Sequence, residues 1–275
     1  ETITAKNLSK FCGGKGLNQS IALASAGADV AHFGCVGEDG DILLDMLKSR
    51  GVNTDSVIKI DNITSGHAII QVDSHGQNSI LLYPGANRRM TPELIDRELE
   101  KYSCGDWLLI QNETNCLEYI IRAANKKGMK IAFNPSPMDE TVSTLPLELV
   151  DLFLVNEIEG AAVTGKEITE EITAEFEKLF PNAAVILTLG KKGSIFKSEK
   201  DMLFQPSYCG TVKDTTGAGD TYTGFFIANY IKGVSPQECM RIAAMASTVQ
   251  ISRDGAAIAI PKKQEVLNAL KNHCR

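Results

Sequence analysis

Four short apolar runs in the middle of the chain, Trp107–Gln111, Lys130–Asn134, Leu152–Asn156 and Ala184–Leu189, constrain its fold most tightly. Each has strand length and ends on a polar residue, and the first three are followed by helix candidates. Strands that are apolar on both sides need helices on both faces, so this rhythm predicts βαβ units around a mainly parallel sheet. The expected class is therefore α/β, a three-layer sandwich. Ligands of such sheets gather beyond the carboxyl ends of the strands. Several polar residues stand at those ends: Gln111-Asn112-Glu113, Asn134, Asn156, and Thr188 before Leu189-Gly190. One polar residue after a strand is ordinarily the start of a loop. Several in consecutive units point to one functional rim.

The second constraint is Asp214-Thr215-Thr216-Gly217-Ala218-Gly219-Asp220, followed by the apolar run Thr221–Ala228. Small residues at a loop-to-helix junction let backbone N–H groups come close to an anion, and the helix start adds its positive dipole end. Such a loop suits a phosphoryl group in transfer, and Asp220 beside it suits a base that takes a proton from an attacking hydroxyl. An N-cap aspartate in a glycine-rich loop is the plainer alternative. Near the start of the chain, Gly13-Gly14-Lys15-Gly16-Leu17-Asn18-Gln19-Ser20 makes a similar turn into the apolar run Ile21–Ala26.

In order and spacing, these two motifs resemble the paired signatures of the ribokinase-like (PfkB) carbohydrate kinase family. The resemblance covers essentially the whole chain. It includes Gly34-Cys35-Val36-Gly37-Glu38-Asp39, Pro84-Gly85-Ala86-Asn87, Asn156-Glu157-Ile158-Glu159 and Thr188-Leu189-Gly190-Lys191-Lys192-Gly193. It implies one domain spanning 1–275 and a small β-sheet lid with strands from about 1–12 and 66–83, often shared between two subunits of a homodimer. It also implies ATP-dependent phosphorylation of the primary hydroxyl of a sugar. The Gly-Gly-Lys-Gly-x-Asn-Gln form points within the family to ribose, converted to ribose 5-phosphate.

Residue by residue, the resemblance makes Asp220 the general base and the Gly217, Ala218 and Gly219 amides the anion hole. Gly14, Lys15, Gly16, Asn18 and Glu113 match sugar-binding positions. Asn156, Thr188, Gly190, Gly193 and Gly219 match the nucleotide site, and Glu159 matches a position associated with Mg²⁺, reached through water. Asp214, Thr216, Gln250, Arg253 and Gly255 match a monovalent-cation (K⁺) site built largely from backbone oxygens. Ala259 stands where ribokinase bears a hydroxyl, which implies a weakened cation site. The chain begins at Glu1, where it resembles the stretch after the family's first strand, so the aspartate of that strand has no counterpart here.

Composition sets outer limits. The 275 residues are 43% hydrophobic and 23% charged, the balance of a globular chain with a sizeable core. A net charge of −6 offers no general basic surface for nucleic acid. No apolar run is long enough to span a bilayer. Seven scattered cysteines (12, 35, 104, 116, 209, 239 and 274) include no Cys-x-x-Cys pair and fit reduced thiols in a cytoplasm. Cys12 reads as a small packing residue, with reactivity the lesser alternative.

Gly160-Ala161-Ala162-Val163-Thr164-Gly165-Lys166 imitates a Walker A loop. Glu167 replaces its hydroxyl residue and no strand immediately precedes the first glycine, so Gly165 is expected to end a helix. The four histidines (32, 67, 75 and 273) form no ligand constellation and there is no Gly-x-Ser-x-Gly elbow, which disfavours a zinc hydrolase or a serine esterase. Two rival readings stand beside the sugar kinase: a nucleoside kinase of the same family, and a sugar- or nucleotide-binding protein without catalysis. An adenosine-type site needs an apolar or aromatic wall, and the lone Trp107 lies inside a strand.

Overall fold

A computed structural model describes residues 9–72 and 78–273. The chain opens with α1 (Lys15–Ser25), β1 (Ala31–Val36), α2 (Asp41–Ser49) and β2 (Asn53–Lys59). β1 and β2 pair in parallel with each other and, among the described residues, with no other strand. An antiparallel pair follows, β3 (His67–Val72) and β4 (Asn78–Tyr83), and then α3 (Pro92–Leu99). Residues 73–77, between β3 and β4, lie outside the described residues, as do 1–8 of the expected first lid strand. Residues 9–12 carry no regular structure.

The expected strands then appear as β5 (Trp107–Gln111), β6 (Lys130–Asn134), β7 (Leu152–Asn156) and β8 (Ala184–Thr188). With β9 (Ser194–Lys197) and β10 (Met202–Gln205) they form a six-stranded sheet ordered β10-β9-β8-β7-β6-β5. β5 to β8 are parallel, while β9 and β10 extend the edge antiparallel. Helices α4 (Leu117–Lys126), α5 (Glu157–Thr164) and α6 (Thr169–Leu179) interleave with the strands. The helix expected after β6 is absent. That connection carries Pro135, Pro137 and Pro146 and makes only two 3-10 turns, because proline cannot donate the backbone bond that a helix interior requires. Three more helices close the chain: α7 (Ala218–Tyr230), α8 (Pro236–Ile251) and α9 (Lys263–His273).

Strand period two sorts the sheet into two cores. Ala132, Leu152, Leu154, Ala184 and Ile186 face α1, α7 and α8. Ile131, Phe133, Phe153, Val155, Val185 and Leu187 face the layer of α3 to α6. The result is a helix–sheet–helix sandwich with a small antiparallel sheet beside it. Local chemistry sets the ends of the helices. Thr91 and Ser235 cap α3 and α8, each ahead of a proline at the first turn. α5 ends on Gly165 at φ 69°, the left-handed stop that the imitation Walker loop called for.

One contact fixes how α1 and α7 meet. A Cβ on Gly224 would lie 2.3 Å from Ala22 Cβ and 2.7 Å from the Leu23 nitrogen. Only glycine permits this approach. Asn18 lies one turn before Ala22 and Asp220 one turn before Gly224, so the contact also sets the spacing of those two side chains.

Candidate active site

The carboxyl ends of β6, β7 and β8 meet the start of α7 around an open cavity of about 150 Å³. Its wall includes Asn134, Asn156, Glu159 and Thr188 from the sheet side, and Thr215, Gly217, Ala218, Gly219 and Asp220 from the loop. Lys15 reaches it from α1. The rim expected from the strand ends is therefore real: Gln111 pairs in register with Asn134, and Asn156 with Thr188.

Asp220 is buried in the first turn of α7, with 8% of its surface exposed. Its two oxygens are held apart by different donors: Asn18 Nδ2 donates to Oδ2 at 2.9 Å and Gln19 Nε2 to Oδ1 at 2.9 Å. Loss of water around the carboxylate raises its proton affinity above the ordinary aspartate value, while the Lys15 charge and the two amide donors act against that rise. A desolvated carboxylate of raised basicity beside a cavity has the character of a general base.

Next to it is the glycine loop that leads into α7. Gly217 precedes the helix at φ 78°, in the left-handed region that favours glycine. The first-turn N–H groups of an α-helix have no intrahelical acceptor, so those of Gly219 and Asp220 are available at the cavity. The Asp214 carboxylate shapes the loop from behind. Its Oδ1 accepts the Thr216 N–H at 2.9 Å and its Oδ2 the Gly255 N–H at 3.0 Å, and the Thr216 hydroxyl first, with these two bonds after it, holds its pKa below the usual carboxylate value.

The glycine motif opens α1 beside Asp220, and its Lys15 lines the cavity. Glu113 Oε2 accepts the Lys15 N–H at 2.9 Å, and burial raises the Glu113 pKa, with the nearby Asp220 charge adding to it. Gly14 packs beside this carboxylate, and a Cβ on it would lie 3.9 Å from Glu113 Oε2. Gly16 sits against Gln111 and His32, each 3.4 Å from the position of an added Cβ. Asn18 spends its nitrogen on Asp220, and among the described residues its Oδ1 is the one buried side-chain polar atom without a partner. Buried acceptors are normally satisfied, so such an atom marks where a donor of a ligand belongs.

Other matched positions fall at varying distance from the cavity. Asn156 and Glu159 form a capping box: Asn156 Oδ1 accepts the Glu159 N–H at 2.8 Å, and Glu159 Oε2 accepts the Asn156 N–H at 3.0 Å. The pair thus caps α5, and Glu159 is at the same time buried and lines the cavity. Gly190 and Gly193 sit in the turn after β8 and do not line it. Gly193 has a packing reason of its own, since a Cβ there would lie 2.1 Å from the Gln205 carbonyl. The cation-matched positions gather behind the loop and do not line the cavity: Gln250 Nε2 donates to the Thr216 carbonyl at 2.9 Å, the Arg253 N–H to the Gln250 carbonyl at 3.0 Å and the Gly255 N–H to Asp214 Oδ2 at 3.0 Å.

The motif analysis left one residue without a role. Gln19, 1% exposed, donates through Nε2 to Asp220 and, at 3.2 Å, to Asn134 Oδ1, and it accepts from Gln111 Nε2 at 2.7 Å. It ties α1, α7 and two strand ends into one network. The available signal was a glutamine amid the apolar positions of α1, where every residue from Leu17 to Leu23 is buried.

Known proteins are similar to this chain in sequence and fold. The chain matches the pfkB family carbohydrate kinase pattern over residues 1–263. It is 32% identical to the ribokinase of Haemophilus influenzae over 280 residues, covering 99% of this chain and 91% of that protein. The Arabidopsis thaliana ribokinase complexed with ribose and ATP superposes with a TM-score of 0.87 at 31% identity, covering 98% of this chain and 91% of that one. The Cryptococcus neoformans ribokinase in complex with ADP gives 0.85 at 31% identity, with 98% and 91% covered. With the family pattern running through both glycine motifs and the whole sheet between them, the chain belongs to the pfkB family of carbohydrate kinases.

Proposed function

We propose that this chain transfers the γ-phosphoryl group of ATP to the primary hydroxyl of ribose or a closely similar pentose. The observation that carries the reading is Asp220, a desolvated carboxylate at the N-terminus of α7, held between Asn18 and Gln19 and facing the cavity. The sugar hydroxyl attacks the γ-phosphorus, its proton passes to Asp220, and ADP leaves. The Ala218 N–H, expected in the anion hole, donates instead to the Thr215 carbonyl at 3.2 Å. The N–H groups of Gly217, Gly219 and Asp220 hold the charge on the transferred group, so positioning and electrostatics supply most of the acceleration.

On this reading the sugar lies toward Gly14, Lys15, Gly16 and Glu113, with a hydroxyl donating to Asn18 Oδ1. The nucleotide lies along Asn156, Thr188 and Gly219, with Gly190 and Gly193 shaping the turn beyond. Glu159 suits Mg²⁺ held through water: it is a cavity-lining carboxylate whose Oε1 accepts no hydrogen bond among the described residues. When bound, that ion neutralises charge on the nucleotide phosphates. Trp107 packs edge-on against Tyr230 at the far end of α7, ring centroids 6.0 Å apart, so it forms no wall for a nucleobase beside Asp220.

The β3–β4 pair serves as lid and as homodimer contact. Ile69, Ile70, Ile80 and Leu81 are all at least half exposed, and the cross-strand pairs Ile69–Leu81 and Ile70–Ile80 make both faces of the ribbon apolar. The six described cysteines are free, as suits a cytoplasmic protein. Among the described residues no helix is long and apolar enough to cross a membrane.

The deciding assay follows ADP release over a panel of pentoses, hexoses and nucleosides. Ribose-dependent release well above the sugar-free rate is expected. Release driven by adenosine but not ribose transfers the assignment to a nucleoside kinase, and no dependence on any acceptor leaves only binding.

A further inference from the structure

The two amides that hold Asp220 differ in their freedom to turn. Asn18 gives its nitrogen to Asp220 Oδ2, and its own Oδ1 has no partner among the described residues. Only Asp220 therefore sets which way that amide faces. Gln19 is held from both ends. Gln111 Nε2 donates to its Oε1 at 2.7 Å, and its Nε2 donates to Asn134 Oδ1 at 3.2 Å as well as to Asp220 Oδ1 at 2.9 Å.

The order of these donors traces back to a backbone group. The β6–β7 ladder ends at the Phe133–Phe153 pair, and the Asn134 side chain takes the next step, its Nδ2 donating to the Leu154 carbonyl at 2.7 Å. A carbonyl oxygen only accepts, so Asn134 must face it with nitrogen and show its own oxygen to Gln19. Gln19 must then answer with nitrogen, which carries two N–H groups, one for Asn134 and one for Asp220. Turning Gln19 over would set its Oε1 against Asn134 Oδ1 and its nitrogen against the Gln111 nitrogen. Both mismatches would leave buried polar groups unpaired.

We infer that Gln19 is a positioning residue for the base: its carboxamide, fixed donor-first by the Leu154 carbonyl through Asn134, keeps Asp220 ionised and ready for a proton in a site with little water. A donor that cannot become an acceptor favours the carboxylate over the acid, because hydrogen bonds to charged groups are the stronger kind. Burial of Asp220 pulls the other way. The charged groups around Asp220 are Lys15 at the start of α1, Glu113 beyond β5, Glu159 in the first turn of α5 and Asp214 behind the loop of α7. All four remain when Gln19 is changed. The rate measurement rests on the kinase reading, and the ionisation of Asp220 does not.

The test compares pH–rate profiles of the whole protein, with ribose and saturating ATP, for wild type and Gln19→Met. Methionine keeps the length of the side chain and removes its donor. The acid limb of Gln19→Met should move up by about one to two pH units. Below both limbs the variant should run about ten- to a hundredfold slower than wild type, and on the plateau within about threefold of it. A purely structural role would lower the rate by one factor at every pH, and such an unmoved limb overturns the inference. Asn134→Ala removes the anchor and leaves Gln19 in place, so its limb should move the same way by a smaller step. No movement there overturns the anchoring by Leu154.

Carbon-13 NMR of carboxyl-labelled aspartate gives a readout without turnover. The Asp220 resonance, identified by its absence in Asp220→Asn, should titrate at higher pH in Gln19→Met than in wild type. Should Gln19→Met fold poorly, Gln19→Glu keeps the Gln111 bond and sets an acceptor against Asp220, so the two carboxyl groups should hold a shared proton to higher pH than Asp220 does in the wild type. If the wild type shows no sugar-dependent turnover, the kinase reading fails while the titration still decides this inference: an Asp220 titration unmoved by loss of the Gln19 donor refutes it.

Discussion

Replacing Gly224 with alanine should damage chemistry at a point where no substrate touches. The added Cβ would lie 2.3 Å from Ala22 Cβ and 2.8 Å from the Ala22 carbonyl carbon. Carbon atoms rest at about 3.5–4.0 Å, so α1 and α7 must separate locally by roughly 1 Å or more. Neither atom is the far end of a flexible side chain, so the strain cannot be relieved by a rotamer change. One turn away, the Asn18–Asp220 bond has a length of 2.9 Å. Stretching it by even part of that displacement carries it past about 3.5 Å, where little hydrogen bond remains. Overpacking of this kind costs about 1–3 kcal/mol of stability. Misplacement of a reacting group by about 1 Å costs on the order of a hundredfold in rate. Thermal denaturation and steady-state ADP release on the same preparation would check both numbers. A folded Gly224→Ala protein that turns over within about threefold of wild type would refute the idea that this contact sets the geometry of the base.

Three further outcomes follow from the site. Lowering the pH through the raised pKa of Asp220 should reduce kcat, since a protonated base cannot accept the hydroxyl proton, and a pH–rate profile flat down to ordinary carboxylate values would contradict this. The same shift has a stability sign. The folded chain keeps the Asp220 proton to higher pH than the unfolded chain, so this group's contribution falls as pH rises from about 3.8 through the raised value, and Asp220→Asn should melt higher than wild type at neutral pH. Glu159→Gln should shift the Mg²⁺ titration of activity to higher concentration and, because the amide still accepts the Asn156 N–H, leave the melting temperature nearly unchanged; superimposable titrations would remove Glu159 from the metal's surroundings.

The legibility of this chain divides along physical lines. β5 to β8 could be read because strands buried on both faces are continuous apolar runs, and their polar ends marked the rim. β2 was missed because Asn53-Thr54-Asp55-Ser56 is polar, although Thr54 and Ser56 are buried and Lys101 Nζ donates to Ser56 Oγ at 2.8 Å. β9 and β10 were missed because four-residue strands leave too little periodicity to detect. Asp220 could be named from its motif, since the loop, the glycines and the helix start are contiguous. Gln19 could not be assigned: its partners Gln111 and Asp220 stand 92 and 201 positions away, and no local pattern encodes such a bond. Gln250 could be placed only as a backbone position, because the work of its side chain depends on how α8 packs against α7 and the 256–259 turn.

The central claim is that Asp220 takes the proton of the attacking hydroxyl, and Asp220→Asn tests it most directly. Asparagine keeps the size of the side chain and removes its basicity. The measurement is single-turnover ADP formation with ribose, alongside ATP affinity on the same variant. A loss of about a hundred- to ten-thousand-fold in rate is expected, with ATP binding close to wild type. A variant that keeps more than about a tenth of the wild-type rate would show that the proton goes elsewhere.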